Sequence, residues 1–172
     1  EREEAAEALL KLSMAVQQAA DGIVITDRDG VIQYVNPAFE RATGYSAAEA
    51  VGQTPRILKS GVHPQSVYEK LWETLLSGRV WRGVLVNRRK DGSLQHEDKV
   101  VVPLKDAEGR ISHFVATSRD ITERIRAQET QARLAGIIEA MPALVATADV
   151  HGAILTLNPA GRRLLGIAAD GP

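Results

Sequence analysis

The stretch TDRDGVIQYVNPAFERATGYSA, Thr26 to Ala47, reappears without a gap as ADVHGAILTLNPAGRRLLGIAA, Ala148 to Ala169. Asp27, Gly30, Ile32, Asn36, Pro37, Ala38, Arg41, Gly44 and Ala47 recur as Asp149, Gly152, Ile154, Asn158, Pro159, Ala160, Arg163, Gly166 and Ala169. Self-similarity at a fixed spacing marks a repeated structural unit. The match extends upstream, where Ala5, Leu9, Leu12 and Val16 step at helical spacing and Ala127, Gln131, Leu134 and Ile138 follow at the same offset. The chain therefore reads as one complete unit and the beginning of another. The expected segments are an amphipathic helix over 1–18, a domain over 19–119, a connecting helix over 120–141 and a truncated second unit over 142–172.

Within the quoted stretch, GIVITD (Gly22 to Asp27) and VIQYVN (Val31 to Asn36) are β-rich runs joined by Arg28-Asp29-Gly30, the chemistry of a hairpin. Asn36-Pro37 ends the second strand and starts a short helix, with Pro at its first position. Ser46 with Glu49 forms a capping box for another. His63-Pro64 opens an amphipathic helix in which Val67, Tyr68, Leu71, Trp72 and Leu75 share a face, and Gly78 stops it. Three strands follow: Trp81 to Arg89, Leu94 to Pro103 and Ile111 to Arg119, with Asp-Gly and Glu-Gly turns between them. Asp120 to Glu123 then caps a helix running to about Met141. These elements predict an α+β domain, a five-stranded antiparallel sheet with helices on one face enclosing a core the size of a pocket.

Composition narrows the chemistry. Twenty-one Lys+Arg against twenty-two Asp+Glu leave a net charge of -1, so the electrostatic footprint of a general nucleic-acid binder is missing. With no cysteine there is no disulfide, thiolate nucleophile or Cys-based metal site. No apolar run approaches the roughly 20 residues of a membrane span, and no signal-peptide pattern opens the chain. These features predict a cytoplasmic module without direct membrane contact. The first residue, Glu1, reads as the start of a piece of a longer protein. The sequence carries no Gly-rich dinucleotide fingerprint and no nucleophile–base pair, so nothing in it supports an enzyme reading.

The order hairpin, NPAFERATGYS, helices, WRGVLVNRRKDGS, PLKDAEGRISHFVA and RDITERI closely resembles the bacterial PAS sensory domain, over about residues 12 to 123 and again from about 134. The resemblance implies a sheet order of 2-1-5-4-3, regulation by a ligand or partner, and output through flanking helices. It also implies signal relay at Asp120, Ile121 and Thr122 to a downstream transmitter domain, such as that of a histidine kinase, in a two-component system.

The segment VYEKLWETLLSGRVWRGVLVNRRKDGS is similar to flavin-binding PAS domains, particularly the redox sensors of nitrogen-fixation and methane-oxidation control. Strand parity places Trp81, Gly83, Leu85 and Asn87 on one face. An inward Asn87 amide offers the donor and acceptor that the polar edge of an isoalloxazine ring requires. In the related light-sensing LOV domains a second asparagine falls ten residues on, where this chain has Glu97. The likeness implies FAD contacts at Thr54, Arg56, Lys59, Trp81, Leu85, Asn87, Glu97 and Ser118. Aligned with the LOV signature, VGQTPRILKSG puts Pro55 at the photoreactive cysteine, Thr54 at a flavin-contacting Asn and Lys59 at a contacting Gln, so a cysteinyl photoadduct is chemically impossible. Redox sensing through FAD is therefore preferred to photosensing through FMN. Lys99 also falls on the inward parity, where a buried ammonium needs a partner such as Glu97.

Other readings stand beside this one. Trp72 and Trp81 read first as core packing, and Arg88, Arg89 and Lys90 as a solvated hairpin tip. His63 lies near the start of the helix where haem-binding PAS oxygen sensors carry their iron ligand, so haem is an alternative. His96, His113 and His151 read as surface residues. A cofactor-free module for dimerisation or metabolite binding is a further alternative. Finally, Leu9, Leu12 and Val16, with Leu134 and Ile138, form short seams suited to a parallel partner helix, predicting a homodimer through a coiled coil. In the expected mechanism, reduction rearranges hydrogen bonds at Asn87 and Glu97 and biases two packings of those helices.

Overall fold

In a computed structural model, residues 2–167 are described, and the outermost ends of the first and last expected segments, Ala169 included, lie outside them. Helix α1 covers Arg2–Gln18. Strands β1 (Gly22–Asp27) and β2 (Ile32–Val35) form the first hairpin. Helices α2 (Pro37–Thr43) and α3 (Ala47–Ala50), a 3-10 turn at Pro55–Leu58 and helix α4 (Gln65–Leu76) follow. Strands β3 (Trp81–Arg88), β4 (Leu94–Lys105) and β5 (Ile111–Asp120) lead into α5 (Thr122–Ala140). The sheet is antiparallel with order β2-β1-β5-β4-β3, as expected.

Local chemistry explains the short elements. Asn36 caps α2 and Pro37 starts it, while Gly44 ends it in the left-handed conformation, φ 79°. The capping box of Ser46 and Glu49 is complete. Two apolar clusters form, Val24, Ile32, Val35, Phe39, Ala50 and Leu58 on one side, and Leu71, Leu75, Leu85, Val101 and Phe114 on the other. They do not close on each other, and the gap between them is the cavity described below.

The chain divides into two compact units, one ending at Thr122 and one starting at Glu123. The second contains β6 (Ala146–Ala148), β7 (Ile154–Leu157) and α6 (Pro159–Leu165), a hairpin and capped helix like those of the first unit. The repeat extends to atomic detail. Asn36 Oδ1 accepts from Ile23 N and Phe39 N, while its Nδ2 donates to Val16 O and Asp21 O. Asn158 Oδ1 accepts from Val145 N and Gly161 N, and its Nδ2 donates to Ile138 O and Ala143 O. In each copy one buried amide ties a strand, a short helix and the end of the preceding long helix.

Candidate functional site

A cavity of about 1100 Å³ separates the two apolar clusters. Its inner walls are Val24, Ile32, Phe39, Leu58, Leu71, Leu75, Leu85, Val101 and Phe114, and its rim carries the exposed Arg28, Arg56 and Lys59 together with Asp29, Glu69 and Glu73. It exceeds the roughly 300–1,000 Å³ of ordinary small-molecule pockets. Trp72 stacks edge-on against Phe114 at the wall, 5.5 Å between ring centroids.

The sheet supplies the polar part. Inward parity on β3 buries Leu85 and Asn87, and on β4 it buries Gln95, Glu97 and Lys99. Asn87 Nδ2 donates to Glu97 Oε2 at 2.9 Å, and Lys99 Nζ lies 2.9 Å from the same oxygen. Glu97 is only 2% exposed, and of these three polar groups only Lys99 lines the cavity. The sequence places Asn87 and Glu97 at an occupant's edge; the structure pairs them with each other and puts the ammonium in front. Gln95, on the same inward row and only 2% exposed, was missed; the parity that carries Glu97 also points to it.

The other expected contacts divide. Thr54, Arg56, Lys59 and Leu85 line the cavity. Trp81 and Ser118 do not: the Trp81 indole lies across Gly83, where a Cβ would come within 2.8 Å of the ring, and belongs to the packing around Leu85. Tyr68 lines the cavity with a buried hydroxyl that has no hydrogen-bond partner, and burial raises its pKa above the ordinary phenol value. That orphan is a ready contact for an occupant.

His63 is already engaged. Its Nε2 accepts from Val86 N at 2.8 Å, so the lone pair a haem iron would need is in use. The same segment is held to β3 by Ser60 Oγ donating to Val86 O, by Arg88 Nη2 donating to Ser60 O at 2.7 Å and by a bridge between Lys59 and Asn87. Among the described residues no group of His, Asp or Glu side chains could hold a metal ion, and no helix is long and apolar enough to cross a membrane.

The β3–β4 hairpin tip is not merely solvated. Arg89 donates to Ala42 O and to Asp120 Oδ2, at 2.9 and 2.7 Å, and Lys90 meets Glu49 at 2.5 Å. The Lys90 ammonium, with the Ser46 cap bonds, holds the Glu49 carboxyl down to about 2. Asp120 Oδ1 accepts from Thr122 N and Oγ1, Thr122 Oγ1 accepts from His96 N, and Ile121 N donates to His96 O. His96, read as a surface residue, is half-buried, with an unpartnered Nδ1. Glu97 is the direct cross-strand partner of Asp120. The cavity's polar row therefore ends beside the start of the outgoing helix.

The profile of the PAS fold matches residues 10–121, and that of a PAS domain matches residues 132–171. The chain belongs to the PAS family. This PAS module is 36% identical over 149 residues to the nitrogen fixation regulatory protein of Klebsiella oxytoca, covering 83% of the chain but 30% of that protein. It is 31% identical over 105 residues to the aerotaxis receptor of Escherichia coli, covering 60% of the chain and 21% of the receptor. The chain thus spans about a third or less of these relatives. Among solved structures, an RNA-binding light-oxygen-voltage receptor superposes with a TM-score of 0.68 at 28% identity, covering 76% of this chain and 38% of that one. A light-oxygen-voltage domain studied with a flavin analogue gives 0.60 at 26% identity, covering 73% and 96%. The PAS module is a sensor-type regulatory unit of signalling proteins.

Proposed function

We propose that this PAS module holds FAD and senses redox state in the cytoplasm, as part of a longer signalling protein such as a sensor histidine kinase. The observation that carries the reading is the cavity itself, an apolar slot that splits the core, with the Lys99 ammonium on its sheet wall and Asn87 and Glu97 bonded to each other behind it. Its chemistry suits the group: aliphatic and aromatic walls for a planar ring, buried donors on the sheet, the free Tyr68 hydroxyl, and exposed Arg28, Arg56 and Lys59 at the rim for phosphates. The likeness to the nitrogen fixation regulatory protein and to a domain studied with a flavin analogue supports it.

When bound, FAD supplies reversible two-electron chemistry with proton uptake at its ring. The chain's residues provide the response. Lys99, Glu97 and Asn87 form a hydrogen-bonded row in which a change of charge at one end repartitions the donors on Glu97 Oε2. Glu97 stands across from Asp120 and next to His96, whose backbone holds Ile121 and Thr122. A shift of β4 there alters the first turn of α5. The exposed seams of Leu9 and Leu12 on α1, and of Leu134 and Ile138 on α5, are offered to a second copy, so the altered turn is read out as a change in helix pairing.

The test is the absorption spectrum of the purified protein, before and after incubation with FAD. The expected result is the pair of oxidised-flavin bands, bleached by dithionite and restored by air. A protein that stays colourless and takes up no FAD leaves a cofactor-free docking module instead.

A further inference from the structure

Lys99 is the one member of the polar row that lines the cavity. It is 8% exposed, it projects from the middle of β4 into the cavity, and Glu97 is its partner among the described residues. An ammonium has three donors, and the single carboxylate contact leaves two for the cavity. Glu97 lies behind it, shared with Asn87 and shielded from the cavity. An occupant thus meets a cation at the buried end of the slot and a more distant, already bonded anion. The rim cations Arg28, Arg56 and Lys59 are exposed, so they suit phosphates, whereas Lys99 is buried on the sheet wall and suits the ring.

We infer that Lys99 sets the redox poise of the sensor by stabilising the reduced ring as an anion, with Glu97 as its counterweight. The inference rests on the flavin reading above. Two electrons and one proton taken up by FAD leave one negative charge on the pyrimidine edge of the ring. A cation beside that edge, in a slot of low dielectric, interacts with it far more strongly than in water. Lys99 therefore raises the affinity for reduced FAD relative to oxidised FAD. The Lys99–Glu97 pairing weakens that preference by holding part of the ammonium's field.

The experiment measures dissociation constants of oxidised FAD and of FAD reduced anaerobically by dithionite, the electron donor, on the full chain. Lys99→Met is expected to lower the preference for reduced FAD by tenfold or more, and Lys99→Arg to keep most of it. Glu97→Gln is expected to move the preference the opposite way, because it frees the cation. A merely structural role for either residue would not produce shifts of opposite sign. If Lys99→Met fails to fold because Glu97 is left unpaired, the double variant Lys99→Met/Glu97→Gln is measured, and its preference is expected to fall below wild type. An unchanged preference in the folded methionine variant, or a Glu97→Gln shift in the same direction as Lys99→Met, overturns the inference and leaves FAD binding standing. A wild-type chain that binds neither form overturns the flavin reading, and the inference with it.

Discussion

Asn36 is fully buried and all four of its side-chain hydrogen bonds are made, one each to α1, to the turn before β1, to β1 and to α2. Replacing it by Ala removes the side-chain acceptor of Ile23 N and Phe39 N and the donor to the Val16 and Asp21 carbonyls. At about 1 kcal/mol or more for each such loss, Asn36→Ala is expected to cost about 3 kcal/mol, read as a lower midpoint in urea unfolding. Asn36→Asp keeps the acceptor but loses the donors to Val16 and Asp21, so it is expected to fall between wild type and Ala. The cap was legible in the sequence because Asn-Pro ahead of a helix has local meaning. The tie to Val16, twenty residues earlier, was not, because it depends on where the hairpin lays the amide. The same division holds for Lys99. Strand parity showed that it points inward, but only the pairing of Leu85 with Glu97 and of Gly83 with Lys99 decides that it fronts the cavity while Glu97 is covered.

The segment from Thr54 to His63 and the junction from Asp120 to Thr122 are both held by a few polar bonds. His63→Ala removes the acceptor of Val86 N; about 1–2 kcal/mol of stability should go, and the Val86 amide should exchange faster with solvent water. At the junction, partial burial pushes the Asp120 carboxyl up, but bonds from Thr122 and Arg89 outweigh this and hold it below its ordinary value of 3.8. A lowered folded value means that the ionised group stabilises the fold fully above the ordinary carboxylate range. That contribution is lost as pH falls through the folded value. Asp120→Asn is therefore expected to lose roughly 1 kcal/mol at neutral pH, the carboxylate being a third exposed, and the difference from wild type should shrink in acid. Urea midpoints of both proteins against pH check the sign. Turn and cap chemistry made these elements readable one by one. The Arg89 contact across to Asp120 was not readable, since a run of Arg88, Arg89 and Lys90 at a hairpin tip looks the same whether it is solvated or engaged.

Helix α1 buries none of its residues against its own unit, and Leu9 and Leu12 remain 70% and 66% exposed. Uncovered leucines at helical spacing are expected to pair with a second copy. Light scattering on the full chain and on Leu9→Gln/Leu12→Gln should show the wild type as a dimer and the variant shifted toward monomer; equal masses would remove α1 from the interface. The sequence by itself determined the repeat, the order and type of the elements, and the strand faces, because each follows from short-range periodicity, capping and turn residues. Tertiary structure alone decided that the two apolar clusters stand apart around a cavity, that an ammonium fronts it, and that its polar row ends opposite Asp120. Those outcomes depend on registers between strands distant in the chain, which local patterns do not encode.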